Sequence, residues 1–219
     1  TSADYPSRFI NSPYSRRDYA PRSLRIAFFE RISGLGDRLG ITFIQLPPSY
    51  SPEYLADLSE FLHACSQLDL PLALEVRHLD WFKTEVGDRL NTLLTELNIA
   101  RVLLDTRPIY NCPDDPQIGS PRKKPQVPLQ EIITGNTAFI RFISHPDRQY
   151  NQTYLEQWAS KLRSWFSQGK TVYFFVHCPQ EARSEGYAER NRLILPSIST
   201  LYFNSKIRTS TQLSYRGIT

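Results

Sequence analysis

The chain has 219 residues, a formal net charge of +4, 22% charged residues and 40% hydrophobic residues. This composition belongs to a globular protein long enough to bury a core, and it excludes disordered and collagen-like classes. No run approaches the ~18 apolar residues of a membrane helix, and the first twenty residues lack the apolar stretch of a secretory signal. Cys65, Cys112 and Cys178 are far apart, odd in number and form no CxxC pair. That excludes a disulfide framework and argues against a cysteine-rich zinc site, so reducing cytoplasm is the expected compartment.

The charge is unevenly placed. Residues 1–31 carry six basic and three acidic side chains, and residues 197–219 carry three basic and none acidic, so residues 32–196 stand at −2. Diffuse terminal charge is a weak footprint for nucleic acid, and a nucleic-acid partner is neither required nor excluded. Methionine is absent altogether, which raises the expectation of a piece of a longer chain. Residues 1–23 and 197–219 lack periodicity, so they read as an irregular N-terminal segment and a basic tail around a domain at 24–196.

Within that domain two periodicities alternate. Leu24–Ile32 has apolar residues at helical spacing, and Gly34 and Gly36 stop it. Ile41–Leu46 is a short apolar run ended by Pro47 and Pro48, a buried strand. Ser51 is placed to cap the next helix with Pro52 at its first position, and Leu55, Leu58, Phe61, Leu62 and Cys65 form its inner stripe, with His63 half-buried beside it. The cycle repeats with a strand at Leu72–Arg77, a helix at Thr84–Leu97 and a strand at Ala100–Asp105. A proline-rich irregular segment, Thr106–Asn136, follows and carries the basic run Arg122–Lys124. Next come a strand at Ala138–Ile143, a helix capped by Asn151 and closed by Gly169, a strand at Thr171–His177 and a helix at Glu181–Leu195.

Apolar strands alternating with amphipathic helices predict an α/β fold with a parallel sheet covered by helices. Five units are too few for a closed eight-stranded barrel. They fit either an open doubly wound sheet or most of a barrel, and periodicity does not choose between the two.

Parallel α/β folds place their sites at the C-terminal ends of the strands. There the chain puts Gln45 on the first strand, Glu75 and Arg77 on the second, and Asp105 with Arg107 on the third. Arg141 follows on the fourth and His177 on the fifth. Glu75 and Arg77, two apart, share a face, as do Asp105 and Arg107 where extended geometry continues past the strand. A buried charge is costly unless paired, so both pairs are candidate ion pairs that would order the interior with or without a ligand. Gly34-Leu-Gly36 precedes a strand rather than following one, so it is a helix terminator and not a dinucleotide loop. Trp158 and Trp165, seven apart, are core residues. His145 follows the fourth strand and either lines a site mouth or is solvated.

Several of these segments resemble the domain-of-unknown-function family 72, also called YecE-like. Leu35-Gly-Asp-Arg-Leu-Gly40 followed by Ile41-Thr-Phe-Ile-Gln-Leu-Pro-Pro48 resembles its LG…LG…QLPP signature. Leu74-Glu-Val-Arg-His78 with Trp81-Phe82 is similar to its E-[VF]-R-H-x-x-W-[FL] motif. Asp105-Thr-Arg-Pro108, Phe139-Ile-Arg141 and Val172-Tyr-Phe-Phe175 follow in its order, and the likeness covers about 24–195. The resemblance implies a TIM-like (β/α) barrel, often incomplete, with no established activity. It also implies that early strands, including a GxxGW-type segment, lie outside this sequence. Two places depart from the pattern. His177-Cys178-Pro179 stands where an Asn-rich strand end is usual, and Arg141-Phe-Ile-Ser-His145 stands for Arg-x-His-Gly, so no role transfers to those positions.

Three functions compete, and whether the chain is an enzyme at all is left open. The first is an enzyme acting on a small anionic or phosphorylated, sugar-like substrate. Arg77, Arg107 and Arg141 would hold anionic oxygens, Gln45 would orient the substrate, and Asp105 would also line the site. Glu75 would be the general acid/base and His177 a second proton carrier. The second is a metal-dependent phosphodiester hydrolase with Glu75, Asp105, His177 and His145 around an ion, although no local ligand spacing supports it. The third is a non-catalytic protein- or RNA-binding module using Arg122–Lys124. The sequence names no cofactor, no membrane partner and no oligomeric state.

Overall fold

The computed structural model describes residues 22–68, 70–120 and 123–179. The expected helix at 181–195 and both tails lie outside them, apart from the start of helix α1 (Arg22–Ser33), which begins two residues before its apolar stripe. The other helices are α2 (Leu55–Ser66), α3 (Thr84–Glu96), the one-turn α4 (Arg107–Tyr110) and α5 (Gln152–Ser167). The strands are β1 (Thr42–Gln45), β2 (Leu72–Glu75), β3 (Ala100–Asp105), β4 (Thr137–Ile143) and β5 (Thr171–His177).

Among the described residues all four strand pairings are parallel, and spatial order equals chain order, β1-β2-β3-β4-β5. This order settles what periodicity could not. A parallel crossover is right-handed, so successive crossovers that always step the same way leave every connection on one face. A doubly wound sheet must reverse its stepping direction. The result is a curled half-barrel, an incomplete TIM-like barrel with an outer helical layer and an inner face.

Burial follows the strand alternation. Outward residues Leu72, Leu74 and Val76 pack with Leu58, Leu62, Leu90 and Leu94 of α2 and α3. Outward Leu103, Ile140, Phe142, Phe174 and Val176 pack with Leu155, Trp158, Leu162 and Trp165 of α5. The inner face carries Ala73, Ala100, Val102 and Phe139, with Ile41, Tyr173 and Phe175 against them. Phe139 stacks with Phe43 and Phe175 across it, at centroid separations of 5.5 and 4.9 Å.

Segment 106–136 takes the place of a crossover helix. Leu129 and Ile133 pack against the α5 core, and Thr134 Oγ1 donates to the Ile99 carbonyl (2.6 Å) while accepting from the Arg101 amide (2.8 Å). At the strand ends, Val127, Ile109 and Tyr110 cover Leu104 and Ile143. The described part of the segment is therefore anchored at both the helix layer and the strand ends.

Two capping expectations need correction. Ser51 precedes a 3-10 turn at Pro52–Tyr54 and makes no capping bond with its side chain. Asn151 stands at the start of α5 but is fully buried and turned the other way. Its Oδ1 accepts from the His145 amide (2.8 Å), and its Nδ2 donates to the His145 and Asp147 carbonyls (2.9 and 3.1 Å). Gly169 does close α5, with φ +73. His63 is exposed rather than half-buried.

Candidate functional site

The register of β1 with β2 aligns Gln45 with Glu75, and that of β3 with β4 aligns Leu104 with Arg141. Glu75 lies two residues after inner-facing Ala73, so it points inward, as does Arg141, two after Phe139. Both reach the same place at the strand ends. Glu75 is fully buried. Its Oε1 accepts from Arg77 Nε (2.6 Å), and its Oε2 accepts from Arg141 Nη1. Gln45 Oε1 accepts from Arg77 Nη2 at 2.6 Å and from Arg141 Nη1 at 3.4 Å. The Arg141 guanidinium lies over the Phe43 ring, 5.2 Å from its centroid. Two cations thus share one buried carboxylate and leave a single positive charge at the mouth of the inner face.

This arrangement changes the role expected of Glu75. Both of its oxygens are engaged by guanidinium donors, so it fixes the two arginines in place rather than waiting for a substrate proton. Arg77 and Arg141 keep further N–H donors beyond these bonds, since a guanidinium has five. His177 ends β5 on the same inward face, two residues after Phe175, the register partner of Arg141.

Asp105 and Arg107 do not join this group. Asp105 is outward-facing like Leu103 and fully buried against α5. Its Oδ1 accepts from the Arg107 amide (3.1 Å) and Nε (2.9 Å), and its Oδ2 accepts from Arg107 Nη2 (2.8 Å) and Trp158 Nε1 (2.7 Å). Arg107 also donates to Gln157 Oε1 (3.0 Å) and stacks on Tyr154, 4.6 Å from its centroid. Burial opposes the charge on Arg107, but hydrogen bonding to Asp105 and its charge outweigh burial and raise its pKa. The sequence put both acid–arginine pairs at one site, whereas the sheet separates them onto opposite faces.

One buried charge escaped the sequence reading. Arg101 is buried between β3 and α3 with no acid among its hydrogen-bond partners. It donates to Asn91 Oδ1 (2.6 Å) and the Trp81 carbonyl (3.1 Å) and lies over Phe82. Desolvation pulls its pKa down to about 10. Trp81 in turn donates from Nε1 to the Tyr50 carbonyl (2.7 Å), tying the turn after Arg77 to the turn after β1. Only strand alternation could have signalled this arginine, since Arg101 occupies an outward position in an apolar run.

His145 is buried and meets Cys112 and Asp114, the three ligand-type atoms lying within 4.8 Å of one another. Its Nδ1 accepts from the Asp147 amide (2.8 Å), so the ring proton sits on Nε2, which faces Asp114 Oδ1 at 3.1 Å. A metal at Nε2 would need that proton on Nδ1, where the Asp147 N–H already points. Burial, and then the nearby Asp114, push the Cys112 thiol upward, away from the thiolate a metal requires. The trio is a hydrogen-bonded clasp between segment 106–136 and the turn after β4. Glu75, Asp105 and His177 form no such group among the described residues.

Comparison with known proteins agrees with this architecture. The sequence profile of a family described as "Protein of unknown function DUF72" matches residues 11–197. The UPF0759 protein YecE of Escherichia coli strain K12 is 35% identical over 160 residues, and that of Escherichia coli O157:H7 is 34% identical. Each alignment covers 72% of this chain and 58% of the relative, so the chain spans little more than half the length of these proteins. Two crystal structures of a DUF72 family protein from Enterococcus faecalis V583 align with TM-scores of 0.59 and 0.60 at 19% and 15% identity. They cover 84% and 92% of this chain and 71% and 74% of theirs, and they speak to the fold. No helix among the described residues is long and apolar enough to cross a membrane. A matched profile over most of the chain, close YecE relatives and a shared barrel architecture place this protein in the DUF72 family.

Proposed function

We propose that the chain binds a small anionic ligand, phosphorylated or carboxylate-bearing and sugar-like in size, at the C-terminal end of the half-barrel's inner face. The observation that carries this reading is the convergence of Arg77 and Arg141 on one buried carboxylate. Holding two guanidiniums side by side opposes their mutual repulsion, and Glu75 offsets only one of the two charges. The surplus charge faces the strand-end position where barrels of this type bind their ligands. Glu75 positions the arginines, Arg77 and Arg141 anchor the anion, and His177 on the adjoining strand end is the group available to carry a proton. The Asp105–Arg107 pair supports the outer layer and takes no part. Catalysis by the longer proteins of the family is a further step that rests on His177 reaching the same ligand.

A thermal-shift screen tests the reading. Sugar phosphates and small carboxylates are offered to the wild type, Arg77→Ala and Arg141→Ala at constant ionic strength. At least one compound class should raise the wild-type melting temperature and leave both variants unmoved. If no compound separates wild type from variants, the inner-face site is not an anion site.

A further inference from the structure

The sequence reading gave Gln45 the task of orienting a substrate. Its geometry indicates a different one. The Oε1 atom is the point outside Glu75 on which Arg77 Nη2 and Arg141 Nη1 both converge. An amide oxygen there is a neutral acceptor facing two cations, and a charged oxygen would form stronger bonds to the same donors. Unlike Glu75, Gln45 is exposed and lies at the last residue of β1, which pairs only with β2 among the described residues. Its side chain can therefore leave without disturbing the core, and holding it still sacrifices rotamer freedom that departure restores.

We propose that Gln45 is an internal surrogate for the ligand: its amide oxygen occupies the oxyanion position and is displaced when a carboxylate or phosphate oxygen binds between Arg77 and Arg141. This rests on the anion-site reading above and adds that the site carries its own acceptor. The surrogate keeps two like-charged guanidiniums bridged when no ligand is present. It also sets a threshold, because any incoming oxyanion must compete with a tethered acceptor already in place.

The test is an NMR titration of the arginine side-chain Nε–H resonances with acetate, and separately with inorganic phosphate, at fixed ionic strength. The full chain is used as wild type, Gln45→Ala, Gln45→Glu and Arg141→Ala. Removing a neutral hydrogen-bonded competitor should make Gln45→Ala bind the winning anion about 2- to 10-fold more tightly than wild type. Gln45→Glu, which tethers a charged oxygen at the same point, should lose binding, and Arg141→Ala should lose it as well. The acetate and phosphate arms tell which oxyanion the site prefers. Unchanged or weaker binding in Gln45→Ala, with binding intact in wild type and lost in Arg141→Ala, overturns the surrogate role and leaves the anion site standing. Absence of binding to wild type and Gln45→Ala alike removes the anion site itself.

Discussion

Glu75 and Asp105 are both carboxylates at strand ends, both fully buried and both paired with an arginine two residues later. Their environments differ. Asp105 accepts four hydrogen bonds, one from Trp158 of α5, and is closed off by the outer layer. Glu75 is bridged to a second arginine from another strand and borders the open inner face. Asp105→Asn should lower the unfolding free energy by about 3 kcal/mol, since it leaves a half-buried guanidinium without its counter-ion. Urea denaturation followed through tryptophan fluorescence measures this. The folded fraction of the variant should still respond to anions as wild type does. Loss of that response at a temperature where the variant is folded would show the two clusters to be one site.

Segment 106–136 belongs to the next scale. It reads from sequence as an irregular excursion, and long loops are commonly lids or disordered. Here it substitutes for a crossover helix, because Leu129 and Ile133 supply the apolar cover that a helix would have brought. Polar clasps hold the rest. Lys123 pairs with Asp115 at 3.0 Å, and Asp115 Oδ1 accepts from the Gln117 amide at 2.9 Å. The hydrogen bond from Lys123, then that from Gln117, hold the Asp115 carboxyl below the usual carboxylate range. A carboxylate with a depressed folded-state pKa stabilises its surroundings above the ordinary range, and that contribution fades as pH falls through the lowered value. The chemical shift of the Gln117 amide proton should therefore follow the Asp115 carboxyl, with a midpoint below the ~3.9 of a free aspartate. Asp115→Asn should abolish the transition. A midpoint at or above the free value would mean that the clasp does not form in solution.

The whole molecule has a seam. Among the described residues the β2–β3 ladder holds register at Ala73–Ala100 and Leu74–Arg101, while β4–β5 runs in register from Thr137–Thr171 to Ile143–His177. The two large outer cores divide along the same line, one around α2 and α3 and the other around α5. The Glu75–Arg141 ion pair crosses the seam from β2 to β4. Cooperative units of different stability exchange their amides separately. Amides of β1 and β2 should exchange faster than those of β4 and β5, and Glu75→Ala should widen the gap by uncoupling the first unit from the second. Uniform acceleration across all five strands would show a single cooperative unit.

How much of this was legible beforehand depends on range. Strand and helix identities, the glycine stops at Gly34, Gly36 and Gly169, and the strand-end polar residues are local features. Apolar periodicity and turn chemistry fix them within a few residues. The Glu75–Arg77 and Asp105–Arg107 pairs are likewise two residues apart, and both form. Caps were less legible: Asn151 has the chemistry of a helix cap, yet burial beside His145 offered its amide better partners.

The amino-acid sequence alone determined a parallel α/β fold, the DUF72 resemblance and the row of polar residues at the strand ends. All of these depend on neighbours along the chain. Periodicity left doubly wound sheet and half-barrel open and the family resemblance pointed to the barrel; the tertiary structure settled the choice through its strand order. It also decided that Arg141 joins Glu75 and Arg77 while Arg107 does not. Alternation tells which strand-end residues share a face, but which distant strand lies beside them depends on the pairing of segments dozens of residues apart.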